Sequence, residues 1–370
     1  MFWNIAYLII SISVLTYLYY LRLFFIGLRN RKESADTFKK KVSVIVAARN
    51  EEKNISKLLT SLVNQHYPEH LFEIIIADDG SEDSTASIVE KFAEKWENVK
   101  LIKVTNRKEV DSPKKNALSQ AIEASSGDII LSTDADCIVG KYWISSIIPN
   151  LKNSDMVTGF SRTMIKDWKR STLLDKFEHF DFVSMFAAAA GAISSGKYFS
   201  CSGQNIAYKK KSFLQVGGFE KIKHLISGDD VNLMQLFRKN GMTVSFSFSL
   251  HSFVYTVPCT SWSRLLSQRS RWSSNMKWQT SLNPEFFFYL ICVFFITILP
   301  IVFIFKVWWF ALGIILLRTI LEIEFLKVAF TVFCEDKKRL LFYPAWLIIQ
   351  PVYFVLIAFM GIMNFFKWKE

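Results

Sequence analysis

The sequence predicts an α/β domain flanked by membrane-spanning helices, and two patterns carry this prediction. Between Lys41 and about Leu250, short β-rich runs such as VSVIVA (42–47) and EIIIA (73–77) alternate with longer helical stretches. Near-continuous apolar strands that alternate with helices are typical of a parallel sheet covered on both faces. Outside this region, uncharged stretches reach the roughly 20 residues that a helix needs to cross the hydrocarbon core.

Three uncharged stretches predict membrane helices, at residues 1–21, 286–305 and 340–366. The first stretch lacks the basic start and the small-residue cleavage site of a signal peptide, and its apolar run is too long for one, so we expect an uncleaved anchor. The protein is therefore expected to be an integral membrane protein.

A further span is predicted between the second and third stretches. Residues 307–317 are apolar, and Arg318 and Glu322 follow at a spacing that allows them to pair on one helix face. Without this span, the basic residues 337–339 would lie on the outer side of the membrane, against the positive-inside rule. We therefore expect one helix before the soluble domain and three after it.

The distribution of basic residues predicts how the protein is oriented in the membrane. The segment RNRKESADTFKKK (29–41) contains six basic and two acidic residues, which predicts that it faces the cytoplasm. The net charge of +12 is consistent with contacts to anionic membrane lipids. No basic-aromatic motif for reading nucleic acid accompanies it, so no nucleic-acid partner is expected. The prediction is a multi-pass protein of the cell (inner) membrane with a cytoplasmic catalytic domain.

The chain divides into five predicted parts. The segment before residue 284 includes SWSRLLSQRSRWSSNMKW, whose mixture of aromatic, apolar and basic residues is typical of a helix in the membrane interface. The predicted parts are an N-terminal transmembrane helix (1–28), a basic cytoplasmic linker (29–41), an α/β domain (42–250), membrane-interface helices (251–283) and a C-terminal membrane region (284–370).

Polar loops follow three of the predicted strands, at residues 47–52, 78–84 and 134–137. In parallel α/β sheets, ligands bind beyond the carboxyl ends of the strands. Asp134 and Asp136 would repel one another there unless a cation joined them, and oxygen ligands suit Mg²⁺ or Mn²⁺. The alternative for an isolated Asp-x-Asp is simple loop capping.

Eight motifs occur in an order that resembles the membrane-bound family 2 glycosyltransferases, which have the GT-A fold and include polysaccharide synthases and lipid glucosyltransferases. They span Val42 to Trp272 and read VSVIVAARNEE, IIIADDGSEDST, PKKNAL, STDAD, SGQNIAYKK, GGFE, SGDDVNL and QRSRW. The last is the QxxRW motif of the membrane-bound members. By this resemblance, Asp136 ligates the metal, and Asp134 contacts the ribose or a metal-bound water.

The resemblance also implies a nucleotide-sugar site. Asp78 and Asp79 precede Gly80, which can take the positive φ of a left-handed turn. An ionised carboxylate can accept the N3–H proton of uracil, and cytosine has no such proton. This favours a UDP-sugar donor. Arg49 and Glu51 are expected to line the nucleoside pocket.

In the motif PKKNAL, the family has a lysine that points toward the diphosphate, and by the resemblance this lysine is Lys114. Lys115 is adjacent, and the choice between the two stays open. The family commonly has a glycine before this lysine, whereas this chain has Pro113. For either lysine, a solvated charge at a helix start is the alternative.

The last two motifs, SGDDVNL and QRSRW, contain the residues that the resemblance assigns to the acceptor side of the site. Asp230 is expected to be the general base, which must lie within hydrogen-bond reach of the acceptor hydroxyl. Asp229 stands where the family usually has Glu, and helix capping is the alternative for both acids.

The final motif supplies Gln268, Arg269, Arg271 and Trp272 as expected acceptor or diphosphate residues. The arginines would hold the leaving diphosphate, and Trp272 would stack on the acceptor sugar. The alternative is a basic-aromatic membrane anchor without a chemical role.

The expected function is metal-dependent, inverting transfer of a sugar from a UDP-sugar to a lipid, lipid-linked or oligosaccharide acceptor at the cytoplasmic membrane face. A pore for a growing chain usually takes more than four helices, which favours this over the alternative, a processive polysaccharide synthase. A catalytically silent membrane assembly partner is a third hypothesis, disfavoured because Asp136 and Asp230 are both present. Nothing in the sequence specifies the sugar.

Overall fold

The computed structural model describes residues 2–31, 38–106 and 112–365, which fold into two compact units. An α/β unit lies within residues 32–164 and 200–258. A helical unit lies within residues 1–31, 165–199 and 259–370. Part of the predicted basic linker, residues 32–37, falls outside the described residues.

The α/β unit alternates strands and helices, as the sequence predicts. Its elements are β1 (Val42–Ala48), α2 (Ile55–Val63), β2 (Phe72–Asp78), α3 (Thr85–Lys95), β3 (Val99–Lys103), α4 (Pro113–Ala124), β4 (Ile129–Ser132), β5 (Cys137–Val139), α5 (Trp143–Ile147), β6 (Met156–Gly159), β7 (Ser161–Thr163), β8 (Ile206–Lys209), α7 (Lys210–Gln215), α8 (Val231–Lys239), β9 (Val244–Ser247) and β10 (Val254–Thr256).

The main sheet is mixed, with the strand order β3-β2-β1-β4-β8-β6-β9. Its first four strands are parallel, and all seven residues of β2 are buried, as expected for a sheet covered on both faces. The prediction of a parallel sheet is wrong for one strand, because β8 runs antiparallel to both β4 and β6, whereas β6 and β9 run in the same direction as β4. The fold class, α/β, is confirmed.

A second, three-stranded sheet has the order β5-β10-β7 and was not predicted. Because of this sheet, the paired carboxylates of Asp134 and Asp136 lie between two strands. Asp134 and Asp136 do not end a strand but lie in the short connection between β4 of the main sheet and β5 of the small one. That connection is therefore anchored at both ends by strands.

The helical unit consists of long helices joined by short segments. Its elements are α1 (Phe2–Arg29), α6 (Leu173–Ser194), α9 (Trp262–Ser273), α10 (Gln279–Leu282), α11 (Pro284–Ile304), α12 (Trp308–Val332) and α13 (Tyr343–Ile362). Within the described residues, three segments are long and apolar enough to cross a membrane, namely Trp3–Arg29, Pro284–Ile304 and Lys337–Ile362. They indicate a membrane protein.

Helix α12 was predicted to be a fourth span. It is continuous over 25 residues, or about 37 Å, but it carries Arg318, Glu322 and Glu324 and is not among the three apolar segments. The i,i+4 pairing predicted for Arg318 and Glu322 is confirmed, with 2.6 Å between Nε and Oε1. The assignment of α12 as a span stays a prediction.

Hydroxyl groups from three other helices complete this buried pair. Arg318 donates to Thr297 Oγ1 of α11 at 3.0 Å, and Tyr343 of α13 donates to Glu322 Oε2 at 2.7 Å. Tyr17 of α1 also donates to Glu322. The pair thus joins four helices through hydrogen bonds, which is how a buried charge pair is made tolerable.

Helix α6, over Leu173–Ser194, packs within the helical unit. It crosses α1 very closely, because a Cβ atom on Gly27 would lie 2.1 Å from the carbonyl oxygen of Gly191. Small residues at such crossings allow two backbones to approach.

The domain boundaries differ from the predicted ones in two places. Residues 165–199 pack within the helical unit, so the predicted domain of residues 42–250 is interrupted there. Residues 251–258, predicted to begin the membrane-interface helices, belong to the α/β unit and include β10.

Candidate active site

The loops after β1 and β2 are joined by reciprocal hydrogen bonds. The amide of Asn50 donates to Ser81 Oγ at 3.0 Å, and the amide of Glu82 donates back to Asn50 Oδ1 at 2.9 Å. The Glu51 amide donates to Thr85 Oγ1 at 2.8 Å. Asn50 has a φ of 52°, a conformation that asparagine tolerates better than most residues. The two loops therefore form one rigid edge.

This edge carries the predicted nucleoside residues. Asp78 and Asp79 are both buried, and Asp78 accepts the amide of Ser81. Gly80 has a φ of 64°, as expected for a left-handed turn. Glu51 is buried and Arg49 is exposed, both directly after β1. The four predicted residues thus lie on two adjacent, interlocked loops.

Lys114 joins the paired-carboxylate loop to the predicted base loop. Its Nζ lies 2.9 Å from Asp134 Oδ1 and 3.0 Å from Asp229 Oδ2. Burial alone would lower the pKa of Lys114, but Asp134 and Asp229 raise it above its ordinary value. The ammonium group is therefore charged at neutral pH and supplies the positive partner that the repelling carboxylates require.

Asp229 and Asp230 precede α8. Burial would raise the pKa of Asp229, but Lys114 holds it below its ordinary value of 3.8. The pKa of Asp230 is raised, first by burial and then by the charge of Asp229. Two neighbouring carboxylates with opposite pKa shifts are a common arrangement at acid–base sites.

The helix-capping alternative for Asp230 also holds. Its Oδ1 accepts the Val231 amide at 2.6 Å, and its Oδ2 accepts the Gly203 amide at 2.7 Å. Each carboxylate oxygen has a second lone pair, so these bonds orient the group without exhausting its capacity to accept a proton. Capping and the predicted base role are therefore compatible.

Gly203 is part of the site although its role was not foreseen. A Cβ atom on it would lie 3.2 Å from Asp229 Oδ2 and 3.5 Å from Asp230 Oδ2. Its neighbour Asn205 is fully buried and bonds Trp143, Phe160 and Ser252, which fixes this loop. A side chain at position 203 would crowd the two carboxylates, and sequence spacing gives no sign of that contact.

The side chains near Asp134 and Asp136 show whether the predicted metal ion would find suitable ligands. In the described part of the chain, no group of three or more His, Cys, Asp or Glu side chains is placed to hold a metal ion. Asp134 and Asp136 offer carboxylate oxygens, and Mg²⁺ is usually held by one or two carboxylates together with substrate phosphates and water. The residues fit a divalent cation whose coordination is completed by a nucleotide diphosphate.

The QRSRW residues lie on α9, in the helical unit. Arg269 is 2% exposed, and its guanidinium lies 4.1 Å from the Trp272 ring centroid and 4.5 Å from that of Phe182. Its Nε is 3.6 Å from Asp181 of α6. These contacts give Arg269 a packing role, which the sequence did not reveal. Gln268, Arg271 and Trp272 are partly exposed, and their predicted roles remain predictions.

The fold identifies a structural class. The mixed α/β sheet, flanked by apolar helices, is a GT-A-like fold. Residues 43–217 match the model of the family described as "Glycosyl transferase family 2", so this part of the chain is similar to that family.

Two sequence relatives extend beyond this domain. The "Probable glycosyltransferase YdaM" of Bacillus subtilis (strain 168) is 27% identical over 237 residues, which cover 63% of this chain. This match covers 54% of that relative, so the chain spans about half of its length. The "Poly-beta-1,6-N-acetyl-D-glucosamine synthase" of Staphylococcus epidermidis is 26% identical over 315 residues, covering 79% of this chain and 69% of that protein.

One solved structure resembles the whole chain. It is the mannosyltransferase PcManGT from Pyrobaculum calidifontis in complex with GDP-Man and Mn²⁺, with a TM-score of 0.62 and 17% identity. The match covers 98% of this chain and 99% of that one. At this identity it shows the shared fold.

Proposed function

We propose that this protein is a membrane-bound, metal-dependent, inverting glycosyltransferase. It transfers a hexosyl or N-acetylhexosaminyl group from a UDP-sugar to a lipid, lipid-linked or oligosaccharide acceptor at the cytoplasmic face of the cell membrane. The observation that carries the proposal is the contact of one ammonium group, that of Lys114, with Asp134 at 2.9 Å and with Asp229, the neighbour of the proposed base, at 3.0 Å.

The donor nucleotide follows from the buried carboxylates. Asp78 and Asp79 lie at the end of β2, where an ionised carboxylate can accept the N3–H of uracil. The N1–H of guanine offers a similar donor. A UDP-sugar is therefore the proposed donor, and a GDP-sugar is the comparison that the experiment must include.

Asp230 would remove the proton from the acceptor hydroxyl as that oxygen attacks the sugar. Its two backbone hydrogen bonds fix its orientation, and its raised pKa makes it a stronger base than an exposed aspartate. Lys114 and a bound Mg²⁺ or Mn²⁺ would neutralise charge on the leaving diphosphate. A single displacement gives a β-linked product from an α-linked donor.

A second candidate, a processive polysaccharide synthase, is favoured by one observation. Among the relatives described above, the one matched over 79% of this chain is a poly-β-1,6-N-acetyl-D-glucosamine synthase. Product length separates the two candidates, because single transfer gives one added sugar and processive synthesis gives a ladder of sizes.

The test uses membranes containing the full chain, a lipid extract, and labelled UDP-glucose, UDP-galactose, UDP-N-acetylglucosamine or GDP-mannose. We expect transfer from a UDP-sugar that EDTA and Asp136→Ala each abolish. The matched control is Asp128→Ala, which removes an exposed carboxylate of the same unit. Transfer that survives the loss of both Asp136 and Asp230 would overturn the site assignment, and transfer from GDP-mannose alone would overturn the donor.

A further inference from the structure

The two adjacent lysines of α4, Lys114 and Lys115, contact different groups. Successive residues of a helix point about 100° apart. Lys114 reaches the carboxylates, whereas Lys115 is 2% exposed and its ammonium donates to the carbonyl oxygens of Leu225 and Ser227, the latter at 3.1 Å. The two lysines thus have separate sets of contacts, and of the two it is Lys114 that contacts the predicted site carboxylates.

Ser112, at the N-cap of α4, completes the arrangement. Its Oγ donates to the carbonyl oxygen of Ile226 at 3.0 Å and lies 3.5 Å from the Lys115 ammonium. Three consecutive carbonyl groups, those of residues 225–227, are therefore held from the start of one helix. Carbonyl groups in a loop have no strand or helix partner by default, so these donors, together with the Asn232 side-chain amide that donates to the Ser227 oxygen at 3.4 Å, hold the loop in position.

The held segment leads directly into the predicted base. Gly228 follows with a φ of 78°, and Asp229 and Asp230 come next. Helix α4 thus touches this loop twice, through Lys115 on its backbone and through Lys114 on the Asp229 carboxylate. The same Lys114 contacts Asp134 on the donor side, so one helical turn spans both halves of the site.

We propose that Lys115 is a positioning residue that, together with Ser112, fixes the Leu225–Ser227 backbone and thereby places Asp230 for proton removal. The catalytic part of this inference rests on the proposed function, whereas the structural part does not. An uncharged side chain of similar size would fill the same space without the cost of burying an ammonium group, but it would leave two buried carbonyls without this donor.

Burial is consistent with this assignment. It lowers the pKa of Lys115 to about 8, with the charges of Asp229 and Asp230 acting in the opposite direction and that of Lys114 in the same one. At neutral pH the ammonium form still predominates and provides three donors.

The test compares Lys115→Met with the wild type and with Lys91→Met, which alters an exposed helical lysine of the same unit. Hydrogen exchange of the detergent-solubilised full chain is measured first, without any substrate. We expect the hydrogen-bonded amides of Leu225, Val231 and Asn232 to exchange at least about tenfold faster in Lys115→Met, because the loop opens locally, while β1 and β2 stay protected. Lys91→Met should exchange as the wild type does.

Transfer kinetics provide the second readout. Misplacement of a reacting group by about 1 Å can cost about 100-fold in rate. We expect kcat to fall 10- to 100-fold in Lys115→Met while the KM for the sugar nucleotide changes less than about threefold, since Lys114 is retained. Ser112→Ala, which removes one of the three loop contacts, should give a smaller change in the same direction.

Unchanged exchange in the loop would overturn the inference whatever the activity. Faster exchange with unchanged kcat would overturn the positioning role. If Lys115→Met lost protection throughout the unit, the variant would be unfolded and the comparison would rest on Ser112→Ala. Unchanged hydrogen exchange in the loop of Ser112→Ala would then overturn the inference. A wild-type protein that transferred no sugar would defeat the proposed function alone, and the exchange comparison would still decide the structural part.

Discussion

Two clusters of charged residues, one in each unit, are built in opposite ways. In the α/β unit, Lys114 pairs with Asp134 and Asp229 while about 30% of the Lys114 and Asp134 side chains stays exposed (28% and 31%). In the helical unit, Arg318 and Glu322 are 9% and 8% exposed, and hydroxyl groups satisfy them. The first cluster is open to ligands and the second is closed.

Their charge balance differs as well. The two loops of the first cluster carry four carboxylates, Asp134, Asp136, Asp229 and Asp230, against the lysines of α4. The second cluster contains one cation and one anion. A surplus of negative charge that remains accessible is what a divalent cation can neutralise, whereas a balanced and satisfied pair stabilises packing. Accessibility and imbalance together separate a functional cluster from a structural one.

The strongest test of this contrast removes a carboxylate from the open cluster. Asp230→Asn should lower transfer by about 10²- to 10⁴-fold, the usual contribution of a general base. Asparagine removes the repulsion with Asp229 but replaces one of the two acceptor oxygens with an N–H₂ donor that faces a backbone amide, so the free energy of unfolding should fall by only about 1–3 kcal/mol. Transfer rate and thermal unfolding of the purified protein check both parts. An Asp128→Asn control should retain activity, and a large loss of stability in Asp230→Asn would break the contrast.

The reverse result is expected in the closed cluster. Arg318→Met leaves Glu322 buried without its partner, which should cost about 3–5 kcal/mol of stability. The measurement is thermal unfolding in detergent, with Lys327→Met as control, since the Lys327–Glu324 pair is half exposed. The double variant Arg318→Met/Glu322→Gln should recover most of the loss. If the single variant were as stable as the wild type, the cluster would have no structural role.

The sequence was most informative where local pattern determines structure. Strands β1 to β4, the left-handed Gly80 and the Arg318–Glu322 pair each depend on residues within a few positions of one another. Periodicity, turn chemistry and i,i+4 spacing are local properties, so they can be read without knowing the fold.

The missed features depend on contacts between distant segments. The antiparallel strand β8 and the small sheet have strands of three or four residues, too short for a periodic signal. The contact of Gly203 with Asp229 and Asp230, and the burial of Arg269 against Asp181, join residues about 26 and 88 positions apart in the chain. The separation of Lys114 from Lys115 depends on how α4 is rotated, which composition does not determine.

A third test concerns a buried acid whose role is structural within the α/β unit. Burial would raise the pKa of Glu73, but hydrogen bonds from Lys100, Ser43 and Ser126 lower it from 4.5 to about 2. A carboxyl group with a lowered pKa stabilises the fold above its unfolded pKa, and this stabilisation is lost as the pH falls from about 4.5 to 2.

Glu73→Gln should therefore destabilise the protein by about 1–3 kcal/mol at pH 7 and by much less near pH 2. Unfolding measured across this pH range checks the prediction. Glu90→Gln is the control, because Glu90 pairs with Lys103 at the exposed surface and should contribute under about 1 kcal/mol. An equal loss at both ends of the pH range would contradict the charge-dependent role.

The smallest expected effect is a shift in the pH profile of transfer, and it tests the open cluster most directly. Asp230 must be deprotonated to act as a base, and burial and the charge of Asp229 raise its pKa above 3.8. Transfer should accordingly rise with pH through a limb that lies above 3.8. Asp229→Asn removes the neighbouring charge, so this limb should move to lower pH even if the maximal rate falls. The profile of kcat/KM from pH 3 to 8 measures the shift. A limb that stayed in place would mean that a group other than Asp230 controls the reaction.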